Sequence, residues 1–373
     1  MRVAIVHEWL HTFAGAERVL EQLLLCYPDA DLFVTVDFMP EAQRGFLAGR
    51  KVKTSFIQHM PFARSSFRAY LGLMPLAVEQ HDLSGYDLVI SSSHAVAKGA
   101  LTGPDTVHVS YVHSPMRYAW DLQHQYLRQV DMASGLKSAY ARWQLGKLRQ
   151  WDVRTSNGVD LFIANSSYVA RRIRKCYRRA SVVVPPPVDI DGFSPGGARG
   201  GIYVAASRMV PYKRMDLIAS AFARMPDRRL VIAGDGPERA RVLQAANGAS
   251  NIEFRGAVTD AQMVTLMQGA AAFVFAAEED FGIMLVEAQA CGTPVIAFGR
   301  GGARDILDDE TGMFFAEQCP EAVMEAVDRF EATSISPEAC RANALRFSRA
   351  AFRARITTLV SRALAGDRML LDG

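Results

Sequence analysis

The sequence predicts an α/β fold built from two doubly wound parallel sheets, and three observations carry that prediction. Short runs of β-branched and small apolar residues alternate with helix-length segments over nearly the whole chain, the pattern of repeated strand–helix–strand units. At 373 residues the chain is too long for one ordinary core and suits two domains. Its densest Pro/Gly segment, Pro185-Pro186-Pro187-Val188-Asp189 through Pro195-Gly196-Gly197-Ala198-Arg199-Gly200-Gly201, lies near the middle, where a linker belongs.

Before the linker, strands are predicted at residues 2–7, 87–92, 107–113, 161–165 and 181–184. After it they are predicted at 202–206, 229–233, 252–254, 272–277 and 295–298. These are short apolar runs bounded by Gly, Ser and Asp, as buried parallel strands require. The domains are therefore predicted as 1–188 and 189–350. Ligands of such sheets bind outside the carboxyl ends of the strands, so two joined halves are expected to leave a cleft there. No internal repeat or low-complexity tract interrupts the pattern.

Composition narrows the function. Half the residues are hydrophobic, ample for two cores, and a net charge of only +3 does not argue for nucleic acid. The five cysteines (Cys26, Cys176, Cys291, Cys319, Cys340) are scattered and odd in number, with no Cys-x-x-Cys pair. They read as reduced thiols, not as a disulfide framework or zinc site. The start, Met1-Arg2-Val3-Ala4-Ile5-Val6-His7-Glu8, meets polar residues too early for a signal peptide. No apolar run approaches the roughly 20 residues of a membrane span. A cytoplasmic protein, soluble or peripheral on a membrane, is expected.

The segment Glu279-Asp280-Phe281-Gly282-Ile283-Met284-Leu285-Val286-Glu287, followed by Ala288-Gln289-Ala290-Cys291-Gly292-Thr293-Pro294-Val295, carries the most chemistry. A helix starting near Gly282 aims its free N–H groups and positive dipole end at the spot Glu279 overlooks, which makes an anion site. Glu287, about one turn into that helix, can reach the same place. Carboxylates beside an anion site make sense if the ligand carries hydroxyls as well as phosphate, as a nucleotide sugar does.

Ser207-Arg208-Met209-Val210-Pro211-Tyr212-Lys213 ends a strand and opens a helix. Two cations at a strand's carboxyl mouth suit a diphosphate, with a bidentate option from Arg208 and a point charge from Lys213. The bland reading is a solvated basic helix start. Gly234-Asp235-Gly236 follows another strand and reads equally as a nucleotide border or as plain turn chemistry.

The Glu279…Glu287 pattern with its Ala-Cys-Gly-Thr-Pro-Val continuation resembles the Glu-x7-Glu motif of the family 4 retaining glycosyltransferases, which have the GT-B fold of two Rossmann-like domains. The resemblance covers most of the chain and includes the family's Arg…Lys pair. It implies that Glu279, with Asp280 and Phe281, meets the donor sugar, and that Glu287 holds the ribose. Arg208, Lys213, Gly282 and Ile283 would hold the diphosphate, and Val258 would border the base. His113 would stand beside the reacting sugar, and Gly15 would mark a loop where relatives carry Gly-Gly-x-Glu. Here Ala14 replaces the first glycine, which puts a positive φ at that position in doubt. The last segment, 351–373, is expected to cross back to the N-terminal domain.

The runs His113-Ser114-Pro115-Met116-Arg117-Tyr118-Ala119-Trp120-Asp121, Arg149-Gln150-Trp151-Asp152 and Ala164-Asn165-Ser166-Ser167 narrow the resemblance. They are similar to bacterial mannosyl- or deoxyhexosyl-transferases that use GDP-linked donors in surface polysaccharide synthesis. GDP-mannose as donor and a lipid-linked saccharide as acceptor follow, with no cofactor or metal required. A UDP-hexose or GDP-deoxyhexose donor, or a non-catalytic binding subunit of the same fold, is the alternative.

Among the histidines, His94 is a second candidate for the acceptor site, while His7, His59, His81, His108 and His124 read as packing or surface residues. Lys51, Lys53, Phe56, Phe62, Arg64, Phe67, Arg68 and Tyr70 mix cations with aromatics. This stretch suits either an anionic bilayer or an ordinary amphipathic helix on its own domain. Asp29-Ala30-Asp31 and Asp189-Ile190-Asp191 have Asp-x-Asp spacing but read as chance.

Overall fold

The computed structural model describes residues 1–196, 199–367 and 369. The chain divides into two compact units, Met1–Pro186 joined by the segment from Phe352 onward, and Pro187–Ala351.

The first unit is a seven-stranded sheet. Its strands are β1 (Val3–His7), β2 (Asp31–Val34), β3 (Val52–Thr54), β4 (Leu88–Ser93), β5 (Val107–Val112), β6 (Leu161–Ala164) and β7 (Val182–Val183). They lie in the order β3-β2-β1-β4-β5-β6-β7, and every pairing is parallel. The order reverses between β1 and β4, so the carboxyl ends of these two strands form the crevice where such a sheet takes ligands. Both are buried along their whole length. One face packs on the helix Gly15–Cys26 through Val19, Leu20, Leu23 and Leu24. The helix Arg349–Leu364 adds Phe352, Ile356, Leu359, Val360 and Ala363 to that same core. Each of these side chains larger than alanine contributes about 1.5–3 kcal/mol by leaving water. Within the predicted segment 351–373, residues 368 and 370–373 lie outside the described residues.

The second unit holds β8 (Ile202–Ala206), β9 (Arg229–Ala233), β10 (Ile252–Gly256), β11 (Ala270–Phe275), β12 (Val295–Phe298) and β13 (Gly312–Phe315). Their order is β10-β9-β8-β11-β12-β13, again parallel throughout. Here the order reverses between β8 and β11. The fold is therefore α/β, with two parallel doubly wound sheets.

Three strands escape the sequence reading: β2, β3 and β13. All are three or four residues long, and β3 and β13 close the edges of their sheets, where half-exposed residues blunt the apolar signal. The strand predicted at 272–277 instead runs Ala270–Phe275, because pairing to β12 stops at Phe275 opposite Ala297. Residues 276 and 277 stay buried but already belong to the loop that carries Glu279.

The cation–aromatic stretch does not form one amphipathic helix. It breaks into β3, a 3-10 turn at Phe56–His59, the four-residue helix Ala63–Ser66 and a 3-10 run Phe67–Leu73. Phe67 is buried while Phe62 is 83% exposed, so neighbouring rings serve opposite environments.

Candidate functional site

In the second unit the site is assembled at the β8/β11 switch point. The loop after β8 carries Arg208 exposed, then a single 3-10 turn, Pro211–Lys213. Arg214, at φ 52, separates that turn from the helix Met215–Ala223. Lys213 thus sits one turn ahead of the helix, not on it. Its ammonium pairs with the Glu279 carboxylate from the loop after β11. It also lies 5.8 Å from the Phe275 ring centroid and 5.6 Å from that of Tyr212, close enough for the rings to favour the cation. The Arg208 guanidinium makes no ion pair among the described residues.

Gly282 ends the Glu279 loop at φ 106 and caps the helix Ile283–Ala290. A side chain there would sit in the left-handed region and press on Leu285. The loop is braced from outside the motif by a turn the sequence reading passed over. The Gly302 N–H donates to the Glu279 carbonyl at 2.8 Å. A Cβ on Gly301 would lie 2.3 Å from that carbonyl oxygen, and one on Gly302 would lie 2.4 Å from Phe281 Cα. Gly299-Arg300-Gly301-Gly302 after β12 was the available signal. The Gly234 turn is explained the same way: a Cβ at Gly234 would meet the Ser207 carbonyl oxygen at 1.9 Å. Its glycines let it back directly onto the loop that carries Arg208.

The structure thus brings Lys213 and Glu279 into contact and sets Gly282 and Ile283 at the helix start beside them. Asp280 is half-buried. Glu287 lies a turn further along the helix and is buried. Phe281 turns its ring into the core against Phe347, centroids 5.7 Å apart, so only its backbone faces the loop. Val258 follows β10, at the far edge of the sheet, and packs half-buried against the core.

His113 and Gly15 belong to the first unit, at the carboxyl ends of β5 and β1. His7 Nδ1 lies 3.1 Å from Ser92 Oγ, and Ser92 Oγ lies 2.9 Å from His113 Nε2. On its other side His7 Nε2 faces Glu17 Oε1 at 3.6 Å. The His113 N–H donates to the Ser93 carbonyl at 2.8 Å, and Asn165 Nδ2 donates to the His113 carbonyl at 3.0 Å. Burial holds the His113 imidazole well below the usual histidine range, helped by His94 and His7, so the ring is neutral.

Beside this chain, Glu8 is fully buried and accepts the backbone N–H groups of His94, Ala95, Val96 and Ala97 at 2.7–3.1 Å. Burial alone would raise its pKa, but the field of His94 and the N–H donors of Val96, Ala95 and Ala97 outweigh it and the net shift is downward. His94 itself is pushed down by burial, with Glu8 opposing. His7, expected only to pack, stands inside this polar chain, and Glu8, Glu17 and Ser92 were not singled out in the sequence. Glu8 and Ser92 were marked only by polarity at the ends of apolar strands, and Glu17 stands at the glutamate of the Gly-Gly-x-Glu pattern.

Ala14 proves harmless. Its backbone is extended at φ −141, and its N–H donates to Glu17 Oε2 at 2.9 Å, so no glycine is required. Asp31 pairs with Lys53 at 3.3 Å and Asp189 with Arg349 at 3.2 Å, which occupies one acid of each Asp-x-Asp pair.

The family description "Glycosyltransferase Family 4" matches residues 13–191 and "Glycosyl transferases group 1" matches 198–347. The D-inositol 3-phosphate glycosyltransferase of Mycobacterium leprae is 29% identical over 205 residues, 48% of this chain and 48% of that protein. The GDP-mannose-dependent alpha-(1-6)-phosphatidylinositol dimannoside mannosyltransferase of Mycobacterium tuberculosis is 28% identical over 193 residues, 47% of this chain and 50% of that protein. The chain spans about half the length of the curated relatives it matches.

Among solved structures, Anabaena HepE in complex with UDP superposes with a TM-score of 0.69 at 18% identity, covering 97% of this chain and 100% of that one. Sucrose-phosphate synthase from Thermosynechococcus elongatus gives 0.70 at 16%, covering 98% and 100%. Two parallel doubly wound units with this pair of matches define the GT-B class. Within it, the chain belongs to glycosyltransferase family 4.

Proposed function

We propose that the protein transfers a hexose, mannose from GDP-mannose, to a hydroxyl of a lipid-linked saccharide with retention of anomeric configuration, in bacterial surface polysaccharide synthesis. The observation that carries the donor half is the Lys213–Glu279 pair at the β8/β11 switch point, beside the helix start at Gly282. In this reading Lys213, Arg208 and the N–H groups at Gly282 and Ile283 hold the diphosphate. Glu279 and Asp280 take sugar hydroxyls, Phe281 contributes backbone, Glu287 takes the ribose and the segment at Val258 borders the base. The second unit is then the donor domain and the first the acceptor domain, with Gly15 and His113 on its reacting side.

The bond from the anomeric carbon to the phosphate oxygen breaks as the acceptor oxygen bonds the same carbon on the same face. The acceptor proton passes to the leaving phosphate. Negative charge grows on that phosphate, and prepositioned cations and N–H groups stabilise it. The chemistry needs neither metal nor cofactor, because Lys213 and Arg208 supply the positive charge.

GDP-mannose is favoured by the mycobacterial relative named for that donor. UDP is the second reading, since the Anabaena neighbour is described with UDP and UDP-glucose. A thermal-shift panel of GDP, UDP, ADP and their sugar conjugates separates them. A ligand at 100 times its Kd adds about 2.7 kcal/mol to stability. A shift with GDP and GDP-mannose alone is expected, a UDP-only shift replaces the donor, and no shift with any nucleotide overturns the catalytic reading.

The lipid half is supported by the helix Gly135–Thr155. Leu136, Tyr140 and Trp143 are 91%, 62% and 53% exposed on it, spaced for one face, with Lys137, Arg142 and Lys147 among them. Apolar residues ringed by cations fit the headgroup region of an anionic bilayer. No helix among the described residues is long and apolar enough to cross a membrane. Peripheral docking at the inner face of the cytoplasmic membrane is therefore the localisation proposed. The chain is expected to float with phosphatidylglycerol vesicles and not with phosphatidylcholine vesicles. Replacing both Leu136 and Trp143 by Ser is expected to weaken that binding about tenfold or more. Equal flotation of the double variant removes this surface from the reading.

A further inference from the structure

Three side chains from three neighbouring strands meet end to end at the carboxyl edge of the first sheet. His7 closes β1 and is paired in register with Ser92 of β4. Ser92 is two residues short of His94 and reaches across to His113, just past the end of β5. Behind them stands Glu17, third residue of the helix Gly15–Cys26. His7, Ser92 and Glu17 are 1%, 0% and 6% exposed, so no water sets their protons.

We infer that Glu17, acting through His7 and Ser92, fixes the tautomer of His113 and leaves its Nδ1 as a bare acceptor for a hydroxyl. The inference rests on the reading that places His113 beside the reacting sugar.

Glu17 is a carboxylate: burial works against ionisation, but the His7 contact and the Ala14 N–H outweigh it and lower its pKa. Its position in the first turn of a helix favours negative charge further. A ring nitrogen 3.6 Å from a carboxylate oxygen in a buried site carries its proton, because a lone pair there would repel the oxygen. His7 Nε2 is therefore N–H, and in the neutral ring Nδ1 is the acceptor. Ser92 has one hydroxyl proton and donates it to His7 Nδ1. Ser92 Oγ then accepts from His113, whose Nε2 is N–H. His113 Nδ1 keeps its lone pair and has no hydrogen-bond partner among the described residues. Backbone bonds to Ser93 and from Asn165 hold the residue in place, so the proton alone is left for the relay to decide. Glu17, His7 and Ser92 are positioning residues, since none of them needs to touch the sugar.

The decisive substitution is Glu17→Gln. The Ala14 N–H claims the amide oxygen where it now meets Oε2. That turns the NH2 group toward His7 Nε2, which must then accept. Every proton downstream reverses: His7 Nδ1 donates to Ser92, Ser92 donates to His113 Nε2, and His113 Nδ1 becomes N–H. The tautomer is read from ring 15N shifts of the histidine-labelled full chain at pH 8, where an ordinary imidazole is neutral. The His113 signals are assigned by their loss in His113→Gln.

The Nε2–H form is expected in the unsubstituted protein and the Nδ1–H form in Glu17→Gln. Ser92→Ala is expected to give a mixture that Glu17→Gln no longer alters. In parallel, kcat for GDP release from GDP-mannose is expected to fall about tenfold in Glu17→Gln, the loss of one good substrate hydrogen bond. GDP affinity is expected to stay unchanged, because the proposed diphosphate residues lie in the other unit. An unreversed tautomer in Glu17→Gln, or a reversal that persists in the Ser92→Ala background, overturns the relay. A reversed tautomer with unchanged kcat upholds the relay and overturns the placement of His113 at the reacting sugar.

Discussion

Lys213→Ala is expected to lower turnover about 10²–10³-fold while leaving the chain folded. Among the described residues Lys213 is the one cation paired with Glu279, and the charge it meets grows only as the sugar–phosphate bond breaks. Its loss therefore falls on kcat as well as on affinity. GDP binding is expected to weaken roughly 10- to 100-fold, the worth of one charge-assisted hydrogen bond.

Glu279→Gln is expected to behave differently. Without ligand, Glu279 occupies the ammonium that a diphosphate must win, and both side chains retain under a fifth of their surface, so the competition is only partly screened. Removing the negative charge leaves GDP bound as tightly as before or more tightly. Turnover nevertheless falls about 100-fold, because the sugar loses the carboxylate that orients it. The two variants together separate holding the nucleotide from using it. Isothermal titration with GDP and initial rates with GDP-mannose provide both numbers. Near-normal turnover in folded Lys213→Ala, or a tenfold loss of GDP affinity in Glu279→Gln, sinks the assignment. Folding must be checked by calorimetry or circular dichroism. All four tryptophans, Trp9, Trp120, Trp143 and Trp151, lie in the first unit, so fluorescence is silent about the second.

The parts of this site that were legible in the sequence are those written in one stretch of chain. The strands Ile202–Ala206, Arg229–Ala233 and Val295–Phe298 were read to the residue, because a strand buried on both faces is a continuous apolar run. Glu279, Gly282 and Glu287 share one loop and helix, so their spacing carries their geometry. The relay in the first unit was not legible. His7, Ser92 and His113 are separated by 85 and 21 residues, and the parallel registers of β1 on β4 and of β4 on β5 bring them together. The Gly301–Gly302 brace was hidden for the same reason, since its need for glycine comes from the backbone of Glu279 and Phe281. The concern over Ala14 came from the opposite error. A family preference for glycine was read as a demand for positive φ, where this chain uses an extended residue.

Asp152→Ala is expected to destabilise the first unit by about 3–5 kcal/mol, the cost of stripping the partner from a buried charge. Lys98 and Asp152 are 2% and 0% exposed and pair at 2.7 Å. The Lys98 ammonium also donates to the Asp152 carbonyl at 2.7 Å and to Thr155 Oγ1 at 3.0 Å. The other carboxylate oxygen accepts Trp120 Nε1 at 2.7 Å and the Tyr177 hydroxyl at 3.0 Å. Burial drives the Lys98 pKa down and Asp152 opposes it, so removing Asp152 leaves an ammonium with only neutral acceptors and two further donors with none. A Lys98→Met/Asp152→Leu double variant is expected to recover part of the loss but not all of it. Trp120 and Tyr177 still lack an acceptor, at about 1–3 kcal/mol each. Urea unfolding followed by tryptophan fluorescence reports this unit directly, and a loss under 1 kcal/mol in Asp152→Ala would show that water reaches the pair. Trp120 and Asp152 belong to the runs that suggested a GDP-sugar donor from sequence. Their geometry ties the helices Gly135–Thr155 and Ser167–Tyr177 to the loop after β4. Asp152→Asn is therefore expected to change the midpoint of unfolding and not the choice between GDP- and UDP-sugars, because a clamp in the core sets where the strand ends sit without touching the donor.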